Sequence, residues 1–333
     1  MIPISLLELV RVREGGTPRE ALDGARDLAK VAEDAGYNRV WVAEHHNIPA
    51  IASAATPVVI GHIAAGTSTI RVGAGGIMLP NHAPLIVAEQ FGTLARLFPD
   101  RIDLGLGRAP GTDQLTVRAL RRDPQSAEEF PRDVIELQSY FAPLQPGAKI
   151  QAVPAAGTEV PLWILGSSMF GAYLAAELGL PYAFASHFAP DLLMPAMEAY
   201  RSRFKPSATL AKPYAMVAAN VIGADSDDEA RHLFTTAQMS FTNMVRGTRM
   251  MSQPPIDDID SYWTEAEKAH VERMLACSIV GGPDSLARGL RVLVDQTGAD
   301  EVIVASDIYD PAKRAHSVRL AGAAARDAAQ LAA

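Results

Sequence analysis

Segments that read as β-strands alternate with segments that read as α-helices along nearly the whole chain. The predicted strands cover residues 2–10, 39–43, 70–76, 101–106, 161–165, 182–186, 214–222 and 301–305. Eight strands separated by helices match a TIM-like (β/α)8 barrel better than an open doubly wound sheet, which usually has fewer strands. The sequence therefore predicts an α/β fold of the barrel type.

The length of 333 residues suits one large barrel domain, which we expect to span residues 1–333. The surplus length lies after the seventh predicted strand, where residues 238–273 contain no convincing strand. We interpret these residues as an insertion within the barrel. With 48% hydrophobic and 20% charged residues, the composition is that of a globular protein with a sizeable core.

Charge and cysteine content exclude several functional classes. The net charge of -8, without a run of Lys or Arg, gives no reason to expect nucleic acid or an anionic membrane surface as a partner. Cys277 is the single cysteine, which excludes an intrachain disulfide and favours a reducing cytoplasm. No Cys and His cluster has zinc spacing, so no metal site is predicted. Neither a signal peptide nor a membrane anchor is recognised.

Residues suited to chemistry follow the C-terminal ends of the predicted strands, where the active sites of barrels form. They are residues 44–47 (EHHN) after the second strand, the diglycine, Asn81 and His82 after the third, Arg108 after the fourth, residues 166–168 (GSS) after the fifth and His187 after the sixth. Successive strand residues point to opposite faces, so only one of His45 and His46 is expected to face the mouth. These two histidines are therefore a poor metal pair.

Each of these residues also has a purely structural interpretation. A strand-end histidine can act as a cap, Arg108 can pair with a carboxylate such as Asp113, and serines are ordinary helix N-caps. The diglycine Gly75 and Gly76 can mark a β-bulge with no ligand. A serine turn before a helix also suits a phosphate, because free N–H groups and the positive helix end face an incoming anion. Arg108 on the adjacent strand would then supply a full charge.

Four sequence blocks together resemble the bacterial luciferase-like, flavin-dependent monooxygenase superfamily, and within it a bacterial subgroup with EHHN and GSS-xx-GA signatures. The blocks are VAEHHN, VGAGGIMLPNHAP, AEQFGTLARLFPDRIDLGLGRAPGTD and LGSSMFGAYLAAELGLPYAFASHFAP. The resemblance covers at least residues 1–305. It implies FMN as cofactor, supplied reduced by a separate NAD(P)H:flavin reductase. It also implies a C4a-hydroperoxyflavin that oxygenates a small organic substrate such as an aldehyde or ketone.

The resemblance also implies roles for individual residues. The expected flavin contacts are Gly75 and Gly76 at the ring, and Arg108, Gly166, Ser167 and Ser168 at the phosphate. A cis peptide bond is expected between Gly75 and Gly76, and a side chain at Gly76 is expected to crowd the ring. His45 is expected near the reacting oxygen, where it transfers a proton or stabilises the peroxide.

The need to exclude water from a reactive flavin predicts that residues 238–273 act as a lid. Gly107 stands where light-emitting luciferases have Cys, and the diglycine where they have alanines, so luminescence is in doubt. Two alternatives are left open: an F420-dependent hydride-transfer oxidoreductase of the same superfamily, and a flavin-binding protein without turnover. Family members are often dimers, so a homodimer is a further expectation beside the small-molecule substrate.

Overall fold

A computed structural model of the chain describes residues 1–109, 113–248 and 250–328. In these residues nine strands form one parallel sheet, and eight of them close into a barrel. The strands are β1 (Ile4–Glu8), β2 (Arg39–Val42), β3 (Arg71–Met78), β4 (Ile102–Gly107), β5 (Leu162–Gly166), β6 (Tyr182–Phe184), β7 (Ala215–Gly223), β8 (Ser278–Gly281) and β9 (Glu301–Ala305).

The barrel strands follow one another in chain order. Strands β1 to β7 pair in sequence, β7 also pairs with β9, and β9 pairs with β1, which closes the ring. The predicted (β/α)8 architecture is therefore confirmed. Strand β8, which is not among the eight predicted strands, pairs only with residues 220–223 of β7 and lies outside the barrel.

Helices surround the barrel. They are α1 (Pro18–Asp34), α2 (Thr56–Gly66), α3 (Pro84–Leu97), α4 (Gln114–Ala119), α5 (Phe130–Phe141), α6 (Met169–Leu178), α7 (Leu193–Arg203), α8 (Asp227–Val245), α9 (Glu265–Met274), α10 (Pro283–Thr297) and α11 (Pro311–Asp327). A capping box between Thr17 and Glu20 starts α1. Among the described residues, no helix combines the length and apolar composition needed to cross a bilayer.

Residues 124–141 do not form one continuous helix. Residues 124–127 form a separate 3₁₀ turn, and α5 begins at Phe130. Pro131 occupies the first turn of α5, where a missing N–H and a fixed φ are tolerated, whereas inside a longer helix this proline would remove a hydrogen bond. The proline therefore marks a helix start.

Aromatic rings fill the middle of the barrel. Trp41 on β2 and Trp163 on β5 meet edge to face with ring centroids 5.0 Å apart, and Tyr214 contacts Trp163 in the same way at 5.6 Å. Trp41 and Trp163 are buried, and they pack in a cluster with apolar side chains of β1, β6, β7 and β9. The interior of the barrel is thus a packed core, and a ligand site is expected at the C-terminal end of the strands.

An ionic cluster closes the N-terminal end of the barrel. The Arg39 guanidinium donates to Glu301 Oε1 at 2.9 Å and to Asp103 Oδ2 at 2.8 Å. Tyr214 Oη donates to Glu301 Oε2 at 2.8 Å. Both carboxylates are fully buried, so their ionised forms are stable there only because such donors hydrogen-bond to them.

The predicted insertion at residues 238–273 begins within α8, which continues through Val245. A 3₁₀ turn at Ile259–Ser261 and α9 follow. Ser252 forms an isolated parallel bridge with Arg13, and its hydroxyl lies 3.3 Å from Asp307 Oδ1. The segment is therefore attached to chain that follows β1 and β9 at the C-terminal end of the barrel. Its action as a lid stays a prediction.

Candidate active site

A β-bulge interrupts β3 at the diglycine. Ala74 is paired with Leu104 and Ile77 with Leu106, so Gly75 and Gly76 together oppose the single residue between those two leucines. The peptide bond between Gly75 and Gly76 is cis. The cis bond stands where the resemblance implied it, and the bulge stands where the diglycine itself suggested one.

The two glycines are required by close neighbours within the barrel. A Cβ on Gly75 would lie 2.9 Å from Trp41 Cβ and 3.0 Å from Leu7 Cδ1. A Cβ on Gly76 would lie 2.7 Å from the carbonyl oxygen of Gly105 on β4. The first obstacle to a side chain at Gly76 is therefore a neighbouring strand, and the glycine itself gives no evidence for a ring at this point.

Replacing Gly76 by alanine is expected to lower the free energy of unfolding by about 1–3 kcal/mol, because the new methyl group displaces the backbone of β4. Gly24 in α1 provides the matched control, since a Cβ there meets no atom within 4 Å. Gly24→Ala is expected to be neutral or to stabilise the protein by up to about 1 kcal/mol. Urea unfolding measures both, and equal effects would contradict the proposed clash.

The positively charged side chain of Arg108 lies at the N-terminus of α6. The guanidinium carbon of Arg108, which follows β4, lies 4.1 Å from the ring centroid of Phe170, the second residue of α6. The N-cap residue Ser168 forms no side-chain hydrogen bond with the first turn of this helix, unlike the N-caps Thr17 and Ser226. The first turn thus keeps its N–H donors for another acceptor, close to a full positive charge.

The structural alternative for Arg108, pairing with Asp113, is not observed. Asp113 caps α4 by accepting from the Thr116 N–H at 3.0 Å and also accepts from Asn47 Nδ2 at 2.9 Å. Across residues 1–109, 113–248 and 250–328, no carboxylate lies within ion-pair distance of Arg108. Among these described residues, no acidic side chain therefore balances the charge of Arg108.

Glu44 links the ends of β2 and β3. Its Oε1 lies 2.7 Å from His46 Nε2 and 2.8 Å from His82 Nε2, and its Oε2 accepts from the Met78 N–H at 3.0 Å. Burial alone would raise the pKa of Glu44, but the hydrogen bonds outweigh burial and lower this pKa to about 2. The ionised carboxylate therefore fixes the chain that follows the bulge.

The same three side chains, Glu44, His46 and His82, are of types that bind metal ions and lie close enough together to share one. Their oxygen–nitrogen distances of 2.7 and 2.8 Å are those of hydrogen bonds. Ligands of one zinc ion stand farther apart, at about 3.3 Å for bonds of about 2.0–2.1 Å. Hydrogen bonding accounts for the cluster, and the absence of a metal stays a prediction.

His45 is not among the hydrogen-bonded partners of Glu44, so the two adjacent histidines differ in their contacts. His45 Nδ1 is buried and has no hydrogen-bond partner among the described residues. Burial, the charge of Arg11 and the proximity of His46 lower the pKa of His45 to about 4, although Glu44 opposes the shift. The His45 imidazole is therefore neutral at pH 7.

A family model described as luciferase-like monooxygenase matches residues 3–301. The chain belongs to this family. A luciferase-like monooxygenase of Escherichia coli K12 is 51% identical to it over 321 residues, which are 96% of each chain. The crystal structure of apo-MsnO8 is 35% identical and covers 97% of this chain and 98% of its own, with a TM-score of 0.87. The superfamily assigned from the sequence blocks is confirmed.

Two more distant structures share the luciferase-like fold and were solved with different cofactors. The oxygenating constituent of 3,6-diketocamphane monooxygenase from Pseudomonas putida, in complex with FMN, is 17% identical with a TM-score of 0.71, and 96% of each chain is covered. An F420-dependent secondary alcohol dehydrogenase with an F420–acetone adduct is 16% identical with a TM-score of 0.67, covering 98% of this chain and 99% of its own. One fold thus carries both FMN and F420.

Sequence reasoning missed two residues at this end of the luciferase-like barrel. Phe170 supports Arg108, but an apolar residue inside a helix reads as core. Arg11 lies with its Nε 3.2 Å from Asp307 Oδ2, and its charge acts on His45. Arg11 directly follows the first predicted strand, which is the same signal that identified Arg108 and was available in the sequence.

Proposed function

We propose that this protein is an FMN-dependent monooxygenase that uses reduced FMN and O2 to oxygenate a small organic substrate such as an aldehyde or ketone. The observation that carries the proposal is the pairing of Arg108 with the uncapped first turn of α6, two strands from the bulge on β3. A phosphate group suits this pairing, because it accepts from N–H groups and neutralises the guanidinium.

The residues of the GSS turn fit a phosphate. Ser167 and Ser168 offer hydroxyl donors at the start of α6, and Arg108 is held nearby by the Phe170 ring. A Cβ on Gly166 would find no atom closer than 3.8 Å, so this side of the turn is uncrowded. FMN carries such a phosphate, whereas riboflavin does not, and this difference makes the proposal testable.

The remaining residues would act on the ring and the substrate. Reduced FMN supplies the electrons with which one atom of O2 enters the substrate and the other is reduced to water. We assign the ring to the bulge at Gly75 and Gly76, whose following chain is fixed by Glu44 through the Met78 N–H. Neutral His45 would hold or move a proton at the reacting oxygen.

Several further features belong to the proposal. Electrons would come from a separate NAD(P)H:flavin reductase in the cytoplasm, where the single cysteine Cys277 stays reduced. Residues 238–273 would cover the mouth, supported by the attachment of Ser252 to Arg13. A homodimer would be the assembly.

The purified protein is expected to form a product that contains one atom of ¹⁸O when supplied with ¹⁸O2, a flavin reductase, NADH, FMN and a suitable member of a panel of aldehydes and ketones. His45→Ala is expected to lower product formation at least tenfold and to raise the release of hydrogen peroxide, because proton transfer is lost. Mass spectrometry of the product and a peroxide assay measure the two effects.

Binding titrations with FMN and with F420 separate the proposed function from its alternatives. Tight binding of F420 without affinity for FMN would contradict the proposal in favour of hydride transfer. Binding of FMN without any ¹⁸O-labelled product, unchanged by His45→Ala, would favour a protein that stores flavin. His62→Ala, on α2 outside the barrel, is the control for loss of a histidine.

A further inference from the structure

Two histidines, His45 and His187, follow the strands on either side of the proposed flavin contacts. The three adjacent strands β3, β4 and β5 carry the proposed flavin contacts, and one strand flanks them on each side. The flanking strand β2 is followed by His45, and the flanking strand β6 is followed by His187. In a closed barrel of eight strands, β2 and β6 are four positions apart and so lie on opposite sides of the mouth.

His187 shares an uncommon property with His45. Each of the two residues is part-buried, each Nδ1 is fully buried, and neither Nδ1 has a hydrogen-bond partner in the part of the chain that the structure describes. The backbone of His187 is held by Asn220, whose Nδ2 donates to the His187 carbonyl oxygen at 2.6 Å, and its ring packs against Phe188 with centroids 4.9 Å apart. Unpartnered buried polar atoms are rare in native proteins and require an explanation.

The pKa of His187 is lowered mainly by causes that also act on His45. Burial lowers the pKa of His187 to about 4, and the proximity of His45 and of Arg11 contributes. Carboxylates at these strand ends have partners of their own: Glu44 lies within hydrogen-bond distance of His46 and His82, Glu8 pairs with Arg314, and Asp307 pairs with Arg11. Both imidazoles are therefore neutral at neutral pH.

The tautomer of a neutral imidazole follows from its surroundings. A buried N–H without an acceptor is costlier than a lone pair without a donor, so each ring is expected to carry its proton on Nε2 and not on the buried Nδ1. The accessible edge of each ring then presents an N–H donor. Two such donors on opposite sides of the mouth, beside the proposed flavin platform, would converge on one small acceptor.

We propose that His187 is a second substrate-facing histidine, and that the Nε2–H groups of His187 and His45 together bind the carbonyl oxygen of an aldehyde or ketone. This inference rests on the proposed function for the identity of the reaction. Two neutral donors would polarise the carbonyl group without adding a charge to the site. Neutral histidines suit this task, because their donor state persists when the surrounding pH falls moderately.

The first test requires no flavin and no variant that might fail to fold. Long-range ¹H–¹⁵N spectra of the free protein at pH 6 are expected to show His187 and His45 neutral with protons on Nε2. Addition of unreactive cyclohexanone is expected to shift both Nε2 signals. The signal of His62, which also has a buried unpartnered nitrogen but lies on α2, is expected to stay unchanged. A His187 that titrates near its usual value, or that ignores the ketone, would overturn the inference.

The second test uses turnover. His187→Leu, which removes the Nε2–H donor, is expected to lower kcat/KM for the carbonyl substrate at least tenfold and to leave FMN affinity within about twofold, while His62→Leu changes neither. If the wild-type protein oxygenates a ketone and His187→Leu does so equally fast, the inference is wrong and the proposed function stands. If no substrate is oxygenated but cyclohexanone still shifts the His187 signal, the proposed function is wrong and carbonyl binding stands.

Discussion

Replacing Arg108 by alanine is expected to weaken FMN binding about 100-fold and to leave riboflavin binding within about twofold. The two ligands share a ring and differ in the phosphate, and a hydrogen bond between two charged groups contributes about 1.5–3 kcal/mol. On the proposed function, the phosphate would supply the counter-charge of Arg108, since its guanidinium rests on Phe170 and pairs with no carboxylate of the described residues. Fluorescence titration of the wild type and variant with both ligands measures the difference.

A matched control contacts the same helix. The guanidinium carbon of Arg203, the last residue of α7, lies 4.7 Å from the ring centroid of Tyr173, which is about one turn further along α6 than Phe170. Arg203→Ala is expected to leave the affinity for both ligands unchanged. Equal losses of FMN and riboflavin affinity in Arg108→Ala would remove the phosphate role and would point to a general disturbance of the mouth.

The barrel strands were predictable because parallel strands buried on both faces read as continuous apolar runs. Strand β7 is buried along its whole length, and the sequence prediction of residues 214–222 differs from Ala215–Gly223 by one residue at each end. Strand β8 lacked this signal, because it has four residues, is only partly buried, and pairs with one neighbour. Helix α4 buries no residue and therefore has no apolar stripe to recognise.

The candidate site was likewise predictable only in part. Arg108 and His45 could be proposed as site residues because polar residues at the ends of apolar strands stand out in a barrel sequence. The contact of Arg108 with Phe170 joins segments that follow different strands, and no local pattern reveals it. The opposition of His45 and His187 depends on closure of the ring, since strands four apart are neighbours across the mouth only after the barrel forms.

Removing Arg39 is expected to cause the largest loss of stability among the changes considered, about 3–5 kcal/mol in the free energy of unfolding for Arg39→Ala. This side chain joins Glu301 and Asp103 at the N-terminal end of the barrel, with 11% of its surface exposed and at most 1% of either carboxylate side chain exposed. Without the guanidinium, buried Glu301 loses its ion pair with Arg39, whereas Asp103 keeps its ion pair with Arg71. The loss therefore falls mainly on Glu301, because an uncompensated buried charge is strongly destabilising. Urea unfolding at pH 7 measures the loss.

The exposed pair of Arg19 and Asp23 provides the comparison, because 90% of the Arg19 side chain is in solvent and the ions are 3.6 Å apart. Arg19→Ala is expected to change the free energy of unfolding by less than about 1 kcal/mol. Arg39→Lys should recover only part of the loss, since one ammonium group cannot reproduce the two-sided contact of the guanidinium with Glu301 and Asp103. If Arg39→Ala unfolds at the same urea concentration as Arg19→Ala, the ionic cluster contributes nothing net, and the packed rings of Trp41 and Trp163 above it must hold the end of the barrel closed.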